Sequence, residues 1–246
     1  MQGSLRLEWE ESFKKDNLME ERKYKIFVIE GTDGSGKATQ AKRLVERLNT
    51  MAIPCTSMSF PTYNTPTGRI VGECYLGKRG ESWFGDADAV ESEIASMYYA
   101  ANRRAEIPTM KNALTLGHLV LDRYVYSNMA HQGGKFDSEE ERKNFFKFIE
   151  EFEFGLLKIP KEDKTIFLYV PTPVAVGLRE KRSKETGEKA DGHESNIQHL
   201  RRAEETYLQL ADYFKWDKID CVSKGKMRSE QDIGDEVFER VKPLLE

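Results

Sequence analysis

The chain has 246 residues, with 38 Lys and Arg against 42 Asp and Glu and a net charge of −4. That length suits one substantial domain, and the near balance of charge gives no overall basic field, so nucleic acid is not an expected partner. Three widely spaced cysteines, Cys55, Cys74 and Cys221, suggest neither a disulfide framework nor a metal cluster and fit the reduced thiols of a cytoplasmic protein. No apolar run approaches the length of a membrane span.

Residues 1–22 are rich in Glu and lack a secretory apolar core, so they read as an N-terminal extension in which Leu5, Leu7, Trp9 and Phe13 could share one helix face. The main domain is expected over residues 23–246. A first strand is predicted at 25–30 (KIFVIE), and GTDGSGKATQ follows at 31–40. Gly31, Gly34 and Gly36 let the backbone curl so that successive N–H groups point inward at phosphate oxygens. Lys37 adds a point charge for β/γ-phosphates, and Ser35, Ala38 and Thr39 complete the loop and the start of a helix whose positive end faces the same place. In that helix Ala41, Leu44, Val45 and Leu48 lie on one face. Ala38 stands where a Ser or Thr would hold Mg²⁺, and Thr39 lies about 100° further round the helix.

Further strands are predicted at 54–60, 118–121, 164–170 and 218–222, alternating with helices. The alternation argues for an α/β fold with a five-stranded parallel sheet and helices on both faces. Tyr99 and Arg103, four apart in a helical stretch at 98–103 (YYAANR), share a face that could sandwich a planar ring. Asp122 and Arg123 follow the third strand and would lie on the same sheet edge as the phosphate loop. Arg123 can grip a phosphate with two N–H bonds, while Ser127, Asn128, His131 and Gln132 form a polar cluster suited to the edge of a base.

A capping box is expected from Asp137 and Glu140, opening a helix with Phe145, Phe148, Ile149 and Phe152 inward. Residues 179–195 are almost devoid of apolar side chains and could be an inert loop or a mobile lid that closes over phosphates. A helix resumes with Ile197, Leu200, Tyr207 and Ala211, and a last one starts at Ser229 with Ile233, Val237, Val241 and Leu244 inward.

Taken together, IEGTDGSGKATQ, YYAANR, DRYVYSN at 122–128 and DGHE at 191–194 resemble the thymidylate kinases, P-loop nucleoside monophosphate kinases, over about residues 24–245. The resemblance implies phosphorylation of dTMP by ATP with Mg²⁺, and a homodimer. By position it implies that Asp33 contacts the sugar 3′-hydroxyl and lies near the acceptor phosphate. Phe60 and Pro61 match the turn after the second strand, and Tyr63 lies near the dTMP phosphate. Tyr99 stacks on thymine, Arg103 reaches its O4, Arg123 holds the acceptor phosphate and Asn128 reads the N3 edge. His131 and His193 stand where the family often has Tyr or Phe near the 2′ position. Gly192 replaces a frequent lid Arg, which leaves the cation to Arg179, Lys181 or Arg182, with Arg182 the expected catalytic group. Mg²⁺ is expected to be held mainly by phosphates and water, supported by Asp33, Asp122, Asp191 or Glu194. Another pyrimidine nucleotide or deoxynucleoside kinase, and a non-enzymatic nucleotide-binding protein, are the alternative readings.

Overall fold

The structure, a computed structural model, describes residues 22–178 and 197–245. The N-terminal extension before Arg22 and the 179–195 segment lie outside the described residues.

β1 (Ile26–Gly31) is buried along its whole length, as a central parallel strand covered on both faces must be. The chain then runs through α1 (Lys37–Thr50) to β2 (Cys55–Ser59) at one edge. α2 (Pro66–Arg69) widens into a π-helical turn at Ile70–Tyr75, and α3 (Ser92–Ala105) and α4 (Ile107–Leu116) lead back to β3 (His118–Asp122). After α5 (Val125–Gly133) and α6 (Glu139–Ile149), a π-helical stretch at Glu150–Leu156 precedes β4 (Lys164–Tyr169). A short helix α7 (172–178), α8 (Ile197–Tyr213), β5 (Asp217–Asp220), a β6/β7 hairpin (Val222–Ser223, Lys226–Met227) and α9 (Glu230–Val241) complete the chain. The sheet order is β2-β3-β1-β4-β5, all parallel, so the expected architecture holds.

β1 also sets which helix covers which face. Ile26 and Val28 point into one core with α5, α6 and α8, and Phe27 and Ile29 point into the other with α1 and α9. The chain leaves β1 towards β2, returns to β3, and later crosses to β4 on the other side of β1. That reversal opens a crevice at the carboxyl end of β1.

Three local expectations need correction. The capping box belongs to Ser138 and Glu141, not to Asp137 and Glu140. Ser138 is extended (φ −102°, ψ 150°), its Oγ accepts from Glu141 N at 3.2 Å, and Glu141 Oε2 accepts from Ser138 N at 3.0 Å. Asp137 is exposed and accepts from Arg202 instead. The inward positions of α6 are Arg142, Phe145, Phe146 and Ile149, and Phe148 lies outside against Phe152. The same inward face continues into Glu150–Leu156, where Glu153, four residues beyond Ile149, is buried and Phe152 is not. Ile197 is exposed, whereas Leu200, Tyr207 and Ala211 are buried as expected. The last helix starts as expected, with Ser229 Oγ accepting from Asp232 N at 3.0 Å.

Candidate active site

The phosphate loop begins where β1 ends. A Cβ at Gly31 would sit 2.5 Å from both Leu168 O and Ser35 Oγ, so only glycine fits. Thr32 Oγ1 donates to Val170 O at 2.8 Å and accepts from Val170 N at 2.9 Å, which pins the loop to the end of β4. Gly36, at φ 82°, turns the chain into α1, whose first residue is Lys37. The first N–H groups of that helix have no intrahelical acceptor, which makes its start, beside the loop, the electropositive end.

Lys37 Nζ donates to the carbonyls of Gly31 and Thr32, each at 2.9 Å, and lies 4.0 Å from Asp33 Oδ1. Burial, and then the neighbouring Arg123 charge, push the Lys37 ammonium down to about 8. Arg123 Nη2 donates to Asp33 Oδ1 at 2.9 Å. Burial alone would raise the Asp33 carboxyl, but the charges of Arg123 and Lys37 outweigh it and hold it well below the usual carboxylate range. Two cations and one firmly ionised carboxylate therefore share this end of the site.

Arg123 has a left-handed backbone, φ 65°, which is strained for a residue with a side chain. Flanking bonds hold it there. Arg123 N donates to Ile29 O at 3.1 Å, and Tyr124 N donates to Glu30 Oε1 at 2.7 Å. Glu30 is fully buried at the end of β1, with the same parity as Ile26 and Val28, so it faces α5. Its carboxylate also accepts from Ser127 N at 3.0 Å, Ser127 Oγ at 2.6 Å and Tyr207 OH at 3.2 Å. A strand side chain thereby caps α5 and aims the helix that carries Asn128 and His131.

A cleft opens beside this charged cluster. Asp33 and Arg123 line it, with Phe60, Pro61 and Tyr63 after β2, Tyr99 and Arg103 from α3, and Asn128 and His131 from α5. The structure thus brings together nearly all the substrate-site residues expected from the sequence. Gln132 is the exception: it is fully buried, absent from the cleft wall, and its Nε2 donates to Tyr75 OH at 3.2 Å. Arg182, Asp191, His193 and Glu194 lie outside the described residues.

Both polar atoms of the Asn128 side chain are buried without a hydrogen-bond partner. A buried amide in that state calls for a ligand or water. Asp122, at the end of β3, likewise has a buried Oδ1 without a partner. No group of three or more His, Cys, Asp or Glu that could hold a metal occurs among the described residues.

Several residues at the site escaped the sequence reading. Asn102 accepts from Thr62 N at 3.0 Å and donates to Thr62 Oγ1 at 2.7 Å, fixing the loop that carries Tyr63. Arg103 is buried and pairs through two nitrogens with Glu153, each contact at 2.5 Å. His131 Nδ1 lies 3.0 Å from His199 Nε2, and His199 Nδ1 lies 2.9 Å from Asp88 Oδ1. Glu153, His199 and Asp88 lie in no recognisable motif. Only Glu30, an acid closing a wholly apolar strand, left a local signal.

No described helix is long and apolar enough to cross a membrane. A human thymidylate kinase is 32% identical over 152 residues, 61% of this chain and 63% of that protein, so the aligned stretch spans under two thirds of the human enzyme. A probable thymidylate kinase of Methanococcus vannielii is 32% identical over 188 residues, 76% of this chain and 78% of that one. The solved thymidylate kinase of Candida albicans shares the fold, with a TM-score of 0.66 at 24% identity over 90% of this chain and 92% of that one. With residues 29–233 matched by the thymidylate kinase family model around this phosphate loop and cleft, the chain belongs to the thymidylate kinase family.

Proposed function

We propose that the protein transfers the γ-phosphoryl group of ATP reversibly to dTMP, giving ADP and dTDP, a step towards dTTP. The observation that carries this reading is the lining of a single cleft. Arg123 and Asp33 line it, with Lys37 4.0 Å from Asp33, and the unpartnered amide of Asn128 lines the same cleft with Tyr99 and Arg103. A nucleoside monophosphate calls for the same two sets of groups, one for its phosphate dianion and one for its planar base edge.

In this reading the loop amides and Lys37 hold the β/γ-phosphates of ATP, and Arg123 holds the dTMP phosphate, itself oriented by Asp33. Tyr99 stacks on the base, Arg103 donates to its C4 carbonyl, and Asn128 pairs with the N3 edge. A dTMP phosphate oxygen forms a bond to the γ-phosphorus while the bond to the ADP oxygen breaks. The acceptor is already anionic, so no strong general base is needed, and positioning and charge neutralisation dominate. The partnerless Asp122 oxygen and the absence of a three-acid cage among the described residues fit a Mg²⁺ held chiefly through water and phosphates, with Asp122 in support. Bound there, Mg²⁺ supplies charge neutralisation of the phosphate oxygens. A homodimer is part of the same reading, and light scattering across concentrations tests it.

The deciding experiment measures ADP release by purified protein with dTMP, dUMP, dCMP or dGMP as acceptor. Preference for dTMP is the expected result. Release no faster than the acceptor-free background with all four would overturn the reading in favour of a non-catalytic nucleotide binder.

A further inference from the structure

The buried Arg103–Glu153 pair, whose arginine lines the cleft, is a two-pronged contact, unlike the single contact of Arg123 with Asp33. Arg103 is 2% exposed and Glu153 is fully buried. Arg103 Nε donates to Glu153 Oε2 and Nη2 to Oε1, both at 2.5 Å, so one edge of the guanidinium is wholly committed. Nη1 is the nitrogen those bonds leave for a ligand, on a residue that lines the cleft. Burial pushes the Glu153 carboxyl above its ordinary range against the smaller pull of the guanidinium, but the two-pronged contact, with Nε and Nη2 each donating to one oxygen, calls for the ionised carboxylate. The pair is then electrically neutral as a unit. It offers fixed N–H donors without a net charge, which suits a neutral carbonyl and gives no particular attraction to a phosphate.

Glu153 reaches this place on the inward face of a long helical stretch. It is the one buried residue of the π-helical stretch Glu150–Leu156, on the inward face that Arg142, Phe145, Phe146 and Ile149 begin. Stability is a weak reason for such an arrangement, because a buried ion pair is often replaceable by apolar residues without loss. Orientation is a better one: a guanidinium gripped along one edge cannot swing its free edge away from a mismatched base.

We propose that Glu153 is a positioning residue for base selectivity, locking Arg103 so that its free edge accepts a pyrimidine C4 carbonyl and opposes a C4 amine. This rests on the dTMP reading above and adds to it the residue that enforces the choice. A cytosine amine would face the guanidinium donor to donor, and only a rigid donor makes that mismatch costly.

The test compares kcat and KM for dTMP and dCMP in the full-length protein and in three variants. Glu153→Gln is expected to lower the dTMP-over-dCMP ratio of kcat/KM by tenfold or more, mostly through a higher KM for dTMP, with the KM for ATP unchanged. Glu153→Asp should recover part of the ratio. The double variant Arg103→Met with Glu153→Leu keeps the region packed and should fold while losing the preference. An unchanged ratio in Glu153→Gln or in the double variant would overturn the proposal and leave Glu153 a structural tie. A substrate-side measurement is independent of folding: the unmodified protein should use a dTMP analogue lacking the C4 oxygen at least tenfold less efficiently than dTMP, and equal use would also overturn it. Absence of activity on dTMP in the unmodified protein would instead defeat the underlying functional reading.

Discussion

Arg123 Nη2 donates to Asp33 Oδ1 at 2.9 Å, and that contact ties the end of β3 to the phosphate loop after β1. The two residues are 90 positions apart in the chain, and only the pairing of β1 with β3 makes them neighbours. Asp33 thus holds an arginine whose backbone is already constrained at φ 65°.

Removing either partner should damage the acceptor site. Arg123→Ala is expected to lower kcat/KM for dTMP by roughly 10²–10³, the scale of losing one preorganised charged donor. Asp33→Asn should cost less, and the double variant should cost less than the product of the two, because both act on one guanidinium. Steady-state kinetics with saturating ATP reads this out; strict multiplicativity would show that the pair is not a unit.

Lys37 leads to a pH dependence. Its ammonium titrates at about 8 in the folded chain against an ordinary 10.5, so it is charged below pH 8 and increasingly neutral above. Between those two values the unfolded chain binds more protons, and this residue's contribution to stability rises with pH. Binding a polyphosphate draws the proton back. ATP affinity is therefore expected to weaken roughly tenfold between pH 7 and pH 9, with proton uptake detectable by calorimetry in buffers of different ionisation enthalpy. A flat affinity across that range contradicts the assignment of Lys37 to the phosphates.

Glu30 should matter for stability as well as for activity. Its carboxylate accepts four hydrogen bonds, from Tyr124 N, Ser127 N, Ser127 Oγ and Tyr207 OH, in a fully buried setting. Glu30→Gln turns an acceptor into a donor facing donors and is expected to cost about 2–4 kcal/mol in urea unfolding, the scale of stranding charged-acceptor partners in a core. A change under 0.5 kcal/mol would show that α5 does not depend on this cap.

For the metal, the partnerless Asp122 oxygen points to a role that Ala38 cannot fill. Asp122→Asn should raise several-fold the Mg²⁺ concentration giving half-maximal rate, whereas Ala38→Ser should move it by less than about twofold, since in the proposed reading water and phosphates would complete most of the Mg²⁺ shell. The opposite ranking in a Mg²⁺ titration would return the missing hydroxyl to the centre of the metal site.

The parts of this protein legible in its sequence share a physical origin: each is set within a few residues. The phosphate loop needs glycines at fixed spacing, the strands need apolar runs, and the last helix needs Ser229 before Asp232 N, so a local reading suffices for the parallel α/β architecture and for Lys37, Asp33 and Arg123. Tertiary structure decided what depends on phase or on distant partners. A one-residue shift moved the cap to Ser138, and the inward face runs through Arg142, Phe146, Ile149 and Glu153 instead of along the Phe148–Phe152 stripe, because inward position follows the accumulated helical twist and not the local hydrophobicity. Gln132 turned away from the cleft because Tyr75 takes its amide. Glu30, Asn102, Glu153 and the His131–His199–Asp88 contacts acquire their roles only when separate elements meet. The sequence by itself determined that a glycine-rich loop of the phosphate-binding type follows β1. The folded chain alone determined which side chains orient the groups around that loop, since orientation is imposed by second partners drawn from elsewhere in the chain.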